Sequence, residues 1–461
     1  MKYSIKLDAG KKYQIMQGFG ASGAWWAQEV GGWSHIDEAS GKPVRDRISE
    51  LLHSKENGIG LEIYRYNIGG GSANSGKGDF WNPLRRTECF EVSEGKYDWS
   101  RDENAVYMMR QAAKDGADEL ILFVNSPPER LTINGKAHLD KNFVPNLKKK
   151  NCPAFGRFVM DVTEHFVKEG LPVKYVSPVN EPQWKWTGGQ EGCHYRPWGV
   201  HDALRACADE LEKRPLLKGV KLSGPESGDI RFFNKMYIRG LLNDKVIKRN
   251  LDAIDVHSYF SFVKVPIIKD WLNDRRSFLR RFGKWMAKKY PDVPIKMSEW
   301  THMKGGRDKG MDSALEMAKI MFEDISIMNA ASWQHWIAVS EVDFCDGLIY
   351  INLDSKTFEM TKRYYATGNL SLFVERGSMR IDVTCDSKDL QLLAFEKNGK
   401  TTVIAVNPTQ TEIECNVGNG TAEMFVTNDE LNLERFAEIE RSAVKFSARS
   451  VNTLVWRQKY E

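Results

Sequence analysis

Apolar and polar positions alternate along the chain in short runs that stop abruptly at a polar or aromatic residue. Such runs end near Ser22, Asn67 (EIYRYN), Asn125 (ELILFVN), Asn180 (VKYVSPVN), Glu226 (VKLSGPE), Tyr259 (AIDVHSYF), Glu299 (IKMSEW) and Trp336 (ASWQHW). Their period of two and their β-branched content predict strands. Stretches of helical period lie between several of them, at 104–114, 152–168, 198–212, 271–289 and 313–328. Strands alternating with helices imply a parallel sheet, and eight such repeats predict an α/β protein with a closed (β/α)8 TIM barrel over 18–365. From about residue 366 the pattern changes to short alternating segments such as TTVIAVNP, AEMFVTN and VNTLVWRQ, separated by turn residues. This predicts an antiparallel β-sandwich side domain from 366–461, to which residues 1–17, of similar character, add strands.

Composition narrows the function classes. Apolar residues make up 41% of 461 and charged residues 28%, in keeping with a globular protein with a large core. The net charge is only +4, from 66 basic and 62 acidic residues, and gives no electrostatic case for nucleic acid. The run Lys148-Lys149-Lys150 reads as a solvated loop. No apolar stretch reaches the ~20 residues of a membrane helix. The first residues, MKYSIKLDAGKKYQIMQ, carry no apolar leader, and seven cysteines lack CxxC spacing. Both features predict a reducing, cytoplasmic setting, or secretion if a leader has been removed. They leave the oligomeric state open.

The candidate chemistry centres on residues 173–195, VKYVSPVNEPQWKWTGGQEGCHY. An apolar run ends there at Asn180-Glu181-Pro182, where Pro182 disfavours the helical region for Glu181 and is expected to stop the strand at the carboxylate. A second carboxylate, Glu299 in Ser-Glu-Trp, occupies the same kind of place. Carboxylates at the C-terminal ends of barrel strands are placed for catalysis. Two of them ~5–5.5 Å apart suit retaining hydrolysis of a β-glycosidic bond, one as proton donor and one as nucleophile. Asn180 is placed to bond a sugar 2-hydroxyl, or to cap the strand end in an Asx turn. Arg65 is placed to hold Glu299 ionised and Tyr259 to orient it; a buried ion pair and a core tyrosine are the structural alternatives. Asn125 and Glu226 are candidate substrate hydrogen-bonders or strand caps, and alternation alone assigns His257 no role. Trp25, Trp26, Trp81, Trp184, Trp186, Trp300 and Trp336 fall at or just after predicted strand ends. Sugars stack their C–H faces on such rings, so about half are expected to touch a saccharide and the rest to pack loops.

Two rival motifs fail on context. Gly18-Phe19-Gly20-Ala21-Ser22-Gly23 fits GxGxxG, but the AWWAQEVGGW that follows opens a helix poorly, and no ribose-binding acid is suitably placed. The glycines instead predict a tight bend at a strand end. Histidines and cysteines show no metal-ligand spacing, and Cys193-His194 reads as packing. No cofactor and no metal are expected.

With these residues the chain resembles the family-30 glycoside hydrolases. The likeness rests on GFGASGAWW (18–26), YRYNIGGGSA (64–73), VNSPPERL (124–131), SPVNEPQWKW (177–186), DVHSYF (255–260) and MSEW (297–300). It implies a (β/α)8 barrel with a β-sandwich built from both termini, Glu181 as acid/base, Glu299 as nucleophile, and Arg65, Asn180 and Tyr259 in support. The loop GGQEGCHY (188–195) is most similar to the endo-β-1,6-galactanase branch, which implies oligo- or polysaccharides with β-1,6-linked galactose. β-Xylosidase, xylanase, β-glucosidase and β-1,6-glucanase activities of the same family, or saccharide binding without catalysis, are the alternatives. Endo or exo action stays open.

Overall fold

The computed structural model describes residues 2–78, 80–260 and 273–457. A long bent strand, β1 (Lys2–Ile15), opens the chain. The eight alternating runs follow as β2 (Gly18–Ser22), β3 (Ile63–Ile68), β4 (Glu119–Val124), β5 (Val173–Ser177), β6 (Lys221–Ser227), β7 (Leu251–His257), β8 (Ile295–Trp300) and β9 (Ala330–Ser340). They lie in one sheet in the order β8-β7-β6-β5-β4-β3-β2-β9, extended by β10 (Gly347–Asn352) and β11 (Thr357–Met360). The eight form a closed parallel (β/α)8 barrel. Every residue of β3, β4 and β8 is buried, as expected of parallel strands covered on both faces.

The helical periods become α1 (Glu103–Asp115), α2 (Cys152–Lys168), α3 (Pro197–Leu211), α4 (Arg275–Lys289) and α5 (Met311–Glu323). α3 starts on a proline, which lacks only an N–H that a first helical residue would leave unbonded. α4 starts later than its pattern suggests, where Asp274 accepts a hydrogen bond from the Ser277 amide; the expected start at Trp271 lies outside the described residues. α5 ends at Glu323, and 324–328 continue as a wider turn into β9. One strand ends early: β5 stops at Ser177, because Pro178 has no N–H for the ladder, and not at Glu181.

Inside the barrel, Ile63, Ile121 and Tyr175 meet from β3, β4 and β5. Beside them the buried Lys296 ammonium lies 3.0 Å from Glu119 and 3.4 Å from the Tyr175 ring centroid. Of the GxGxxG glycines, Gly18 takes a positive φ (111°) where β2 begins, and Gly23 serves packing. A Cβ on Gly23 would sit 1.9 Å from the Tyr64 hydroxyl, so only glycine lets β2 leave the barrel beside β3.

The segments after residue 366 form β12 (Met379–Cys385), β13 (Gln391–Lys397), β14 (Lys400–Asn407), β15 (Ile413–Asn416), β16 (Thr421–Thr427), β17 (Asn432–Glu440), β18 (Val444–Phe446) and β19 (Ser450–Arg457). The end of the last predicted segment, Gln458, lies outside the described residues. With β1 they make a nine-stranded, mostly antiparallel sheet in the order β17-β16-β19-β14-β13-β12-β1-β15-β18. It curls around one core that includes Ile5, Ile381, Val403, Phe446 and Leu454. β1 joins it as expected, antiparallel to β12 and parallel to β15.

By compactness the chain divides into Met1–Gly20 with Leu51–Leu61 and Thr301–Glu461, and Ala21–Glu50 with Glu62–Trp300. In the first unit, α6 (Lys362–Ser371) is held by buried polar side chains. Asn369 Nδ2 donates to the Phe425 carbonyl (3.0 Å) and Thr453 Oγ1 (3.1 Å), and Asn369 Oδ1 accepts from Thr427 (2.6 Å). The fully buried Arg363 donates to the Gly347 and Asp308 carbonyls, Tyr350 and Ser313. Arg363→Met strands these acceptors without a donor, and urea unfolding should show a loss of about 3 kcal/mol with little change in far-UV circular dichroism.

Candidate active site

The second unit carries both sequence-predicted carboxylates, and backbone geometry fixes each. Glu299 lies inside β8, buried at 4% exposure, with His257 at the end of β7 as its register partner. Glu181 follows the end of β5 in a left-handed conformation (φ 41°), its amide donating to the Glu226 carbonyl at 2.9 Å. The residue before Pro182 thus avoids the right-handed helical region, as expected, by turning into the left-handed one. The turn is accommodated by Gly228, where a Cβ would lie 2.5 Å from Glu181 Oε1.

The two carboxylates converge on His257. Its Nδ1 lies 2.9 Å from Glu181 Oε1 and 3.4 Å from Glu299 Oε1, and its Nε2 lies 2.9 Å from Glu226 Oε2. Single oxygens of Glu181 and Glu299 and a nitrogen of His257 all lie within 4.8 Å of one another. With Glu226 at one ring nitrogen and Glu299 and Glu181 at the other, the carboxylates favour a ring that carries a proton on both nitrogens, an imidazolium. Burial opposes that charge, but Glu299, Glu181 and Glu226 outweigh it and raise the pKa to about 10. Arg65, fully buried on β3, donates to Glu299 at 3.0 Å and to Glu226 at 3.3 Å. Burial pushes Glu226 up, but Arg65, His257 and a hydrogen bond from Ser298 prevail and hold it near 2. Glu299 is raised by burial, helped by the Glu181 charge and opposed by His257 and Arg65. Tyr259 hydrogen-bonds Glu299, and burial, together with the Glu299 and Glu181 charges, keeps its phenol protonated.

Around this cluster the loops are tied to one another. Trp186 donates its indole N–H to the Glu181 carbonyl (3.1 Å), which also accepts the Trp184 amide (3.0 Å). Glu191, fully buried, accepts from the amides of Gly70 (2.7 Å) and Ser72 (2.9 Å), joining the loop after Glu181 to the loop after β3. The Arg85 guanidinium lies over the rings of Trp25 (4.7 Å) and Trp81 (4.3 Å).

Residues 2–350 match the family described as O-glycosyl hydrolase family 30. The chain belongs to that family. It is a glycoside hydrolase, and its substrate is a carbohydrate. Among curated relatives, an endo-β-1,6-galactanase of Hypocrea rufa is 24% identical, over 83% of this chain and 77% of its own. Among solved structures, a conserved exported protein from Bacteroides fragilis superposes with a TM-score of 0.86 at 22% identity, covering 98% of this chain and all of its own. The catalytic domain of a family-30 xylanase C from Talaromyces cellulolyticus gives 0.76 at 15% identity, covering 98% of this chain and 99% of its own. These structural likenesses establish the fold.

Within this family-30 barrel the predicted residues fall into distinct settings. Glu181, Glu299, Arg65 and Tyr259 form one cluster. Glu226 belongs to it too, but not as the substrate hydrogen-bonder expected, since it is fully buried and both its oxygens are spent on Arg65, His257 and Ser298. Trp26 is 1% exposed and donates to the Ser22 carbonyl, which makes it loop packing. Trp25, Trp300 and Trp336 are also buried, Trp336 on β9 in the other compact unit, whereas Trp184 is 46% exposed. Asn180 and Asn125 are buried. His257 is the residue that sequence reasoning missed. The signal available was its position two residues before Tyr259 in the run AIDVHSYF, since period-two alternation puts the two on one face.

The His257 charge links stability to pH. Its folded pKa, about 10, lies above the ordinary 6.5, so its contribution is complete below pH 6.5 and is lost as pH rises toward 10. The urea midpoint should fall across that window, and by less in His257→Gln.

Proposed function

We propose that the protein is a retaining β-glycoside hydrolase in which Glu299 is the nucleophile and Glu181 the acid/base, acting on saccharides with β-1,6-linked galactose. The observation that carries this reading is the separation of the facing carboxylate oxygens, within 4.8 Å. That spacing suits direct displacement and leaves no room for the intervening water of an inverting enzyme. Division of labour follows from the donors. Glu299 faces Arg65, His257 and Tyr259, whereas Glu181 shares only His257 among these groups. Donors on Glu299 hold the carboxylate in place for attack and stabilise its ionised form, which assigns Glu299 the nucleophile's part and leaves the acid/base part to Glu181.

In the first step a Glu299 oxygen bonds to the anomeric carbon while the glycosidic C–O bond breaks, and the Glu181 proton moves to the departing oxygen. In the second, Glu181 takes a proton from water as that water's oxygen displaces Glu299. The Hypocrea rufa relative supports galactose and the β-1,6 linkage as the first substrates to try.

Hydrolysis of a nitrophenyl β-galactoside or a β-1,6-galactobioside, followed by NMR, should release the β anomer first; initial α product would sink the mechanism. Glu299→Gln should lose at least about 10⁴-fold in kcat. Glu181→Gln should lose about 10²–10⁴-fold on alkyl glycosides and far less on activated aryl glycosides. Because burial raises Glu299, the acidic limb of kcat/KM should lie above the ordinary carboxylate value of 4.5. Removing the neighbouring cation in His257→Gln should move that limb to still higher pH.

A further inference from the structure

Alternation on β3 puts Arg65 and Asn67 on one face, and the bonds of Arg65 to Glu299 and Glu226 identify that face as the barrel interior. On the adjacent β4, Phe123 lies against the Arg65 guanidinium at 4.3 Å and is the register partner of Asn67. Asn125 comes two residues after Phe123, just past the strand end, and Asn180 just past the end of β5. Three amides thus stand at the C-terminal ends of three consecutive strands, above the Arg65–Phe123 layer.

Each is more than nine-tenths buried: Asn67 6%, Asn125 1% and Asn180 2% exposed. Among the described residues, neither Nδ2 nor Oδ1 of Asn67 or of Asn125 has a hydrogen-bond partner, and Asn180 Oδ1 has none. Buried amides are expensive to leave unpaired, and nearly all in folded proteins are paired. Amides that offer a donor and an acceptor together match hydroxyl groups, which also do both. Their neutrality, with the Arg65 charge already committed to Glu226 and Glu299, fits a neutral pyranose and not a uronic acid.

We propose that Asn67 and Asn125 are specificity-determining residues that read the 4- and 3-hydroxyls of the sugar whose anomeric carbon lies at the carboxylate pair. The assignment rests on the reading above only for placing the sugar's anomeric carbon at the carboxylate pair, not for turnover. Asn180, beside Glu181, is nearest the 2-hydroxyl, and stepping strand by strand from β5 to β4 to β3 follows the ring from C2 to C3 to C4. Asn67 is thereby the residue that meets the one centre at which galactose and glucose differ.

The test pairs variants with deoxy sugars. kcat/KM is measured on nitrophenyl β-galactoside and its 3-deoxy and 4-deoxy forms, for wild type, Asn67→Ala and Asn125→Ala. Wild type should lose about ten- to a hundredfold on each deoxy substrate. Asn67→Ala should lose a similar factor on the parent, with no further loss on the 4-deoxy form and the full loss on the 3-deoxy form. Asn125→Ala should show the converse. Full penalties on both deoxy substrates in both variants would overturn the assignment. Affinities of Glu299→Gln for methyl β-galactoside and its deoxy forms, with and without each Asn change, read the same pattern without turnover. A binding pattern without any hydrolysis by wild type would therefore defeat the glycosidase reading and leave this one standing. Thermal unfolding adds a second readout: removing an unpaired buried amide should leave the ligand-free Tm unchanged or raise it. A drop of several degrees in Asn67→Ala and also in the neutral, near-isosteric Asn67→Leu would mark a structural residue and overturn the proposal.

Discussion

The site depends on the buried ion cluster around His257. Taking a carboxylate out of water costs several kcal/mol unless charge and hydrogen bonds replace the lost hydration. Here Glu181, Glu226 and Glu299 are drawn together within reach of one imidazolium and one guanidinium. Three acids against two bases leave one negative charge in excess, and burial makes that excess costly. A single proton on the carboxyl pair removes it. Under the proposed acid and nucleophile roles the first step needs the same proton count, so the electrostatics that permit the cluster to be buried would also prepare it for reaction. Deeper in the barrel the same economy recurs: Lys296 offsets Glu119, while burial and the Glu226 charge raise Asp255 to about 7.

The backbone keeps this cluster tight. Gly228 gives Glu181 the room in which to point at His257, and the left-handed turn at Glu181 is anchored by its amide on the Glu226 carbonyl. Arg65, bonded to both Glu226 and Glu299, spans from β3 to β6 and β8, so one side chain sets the distance between strands that are far apart in sequence. Rigid groups of this kind do not need to reorganise as charge moves during reaction.

Much of the barrel was legible because parallel strands with buried ends leave short apolar runs that stop at polar residues, and all eight runs became strands. The two glutamates stood out because each terminates such a run. What stayed hidden was orientation. Period-two alternation says which residues share a face but not which face is inside, so His257 had no role, and Glu226 was taken for a group open to substrate. Pro178 ended β5 before the more conspicuous Pro182. Aromatic content likewise named the tryptophans near the mouth without separating Trp184, half in solvent, from Trp26, sealed in its loop. Burial depends on loop closure, for which local sequence carries little signal.

The loop after β5 folds back on its origin: both Trp184 and Trp186 bond the carbonyl of Glu181. The surface that would meet the departing half of the substrate and the acid that would release it are therefore one mechanical piece. Remodelling this loop to accept a new aglycone would re-aim Glu181 at the same time. With Glu181 as the proposed acid, selectivity for what leaves and efficiency of its departure would not be tuned independently in this scaffold.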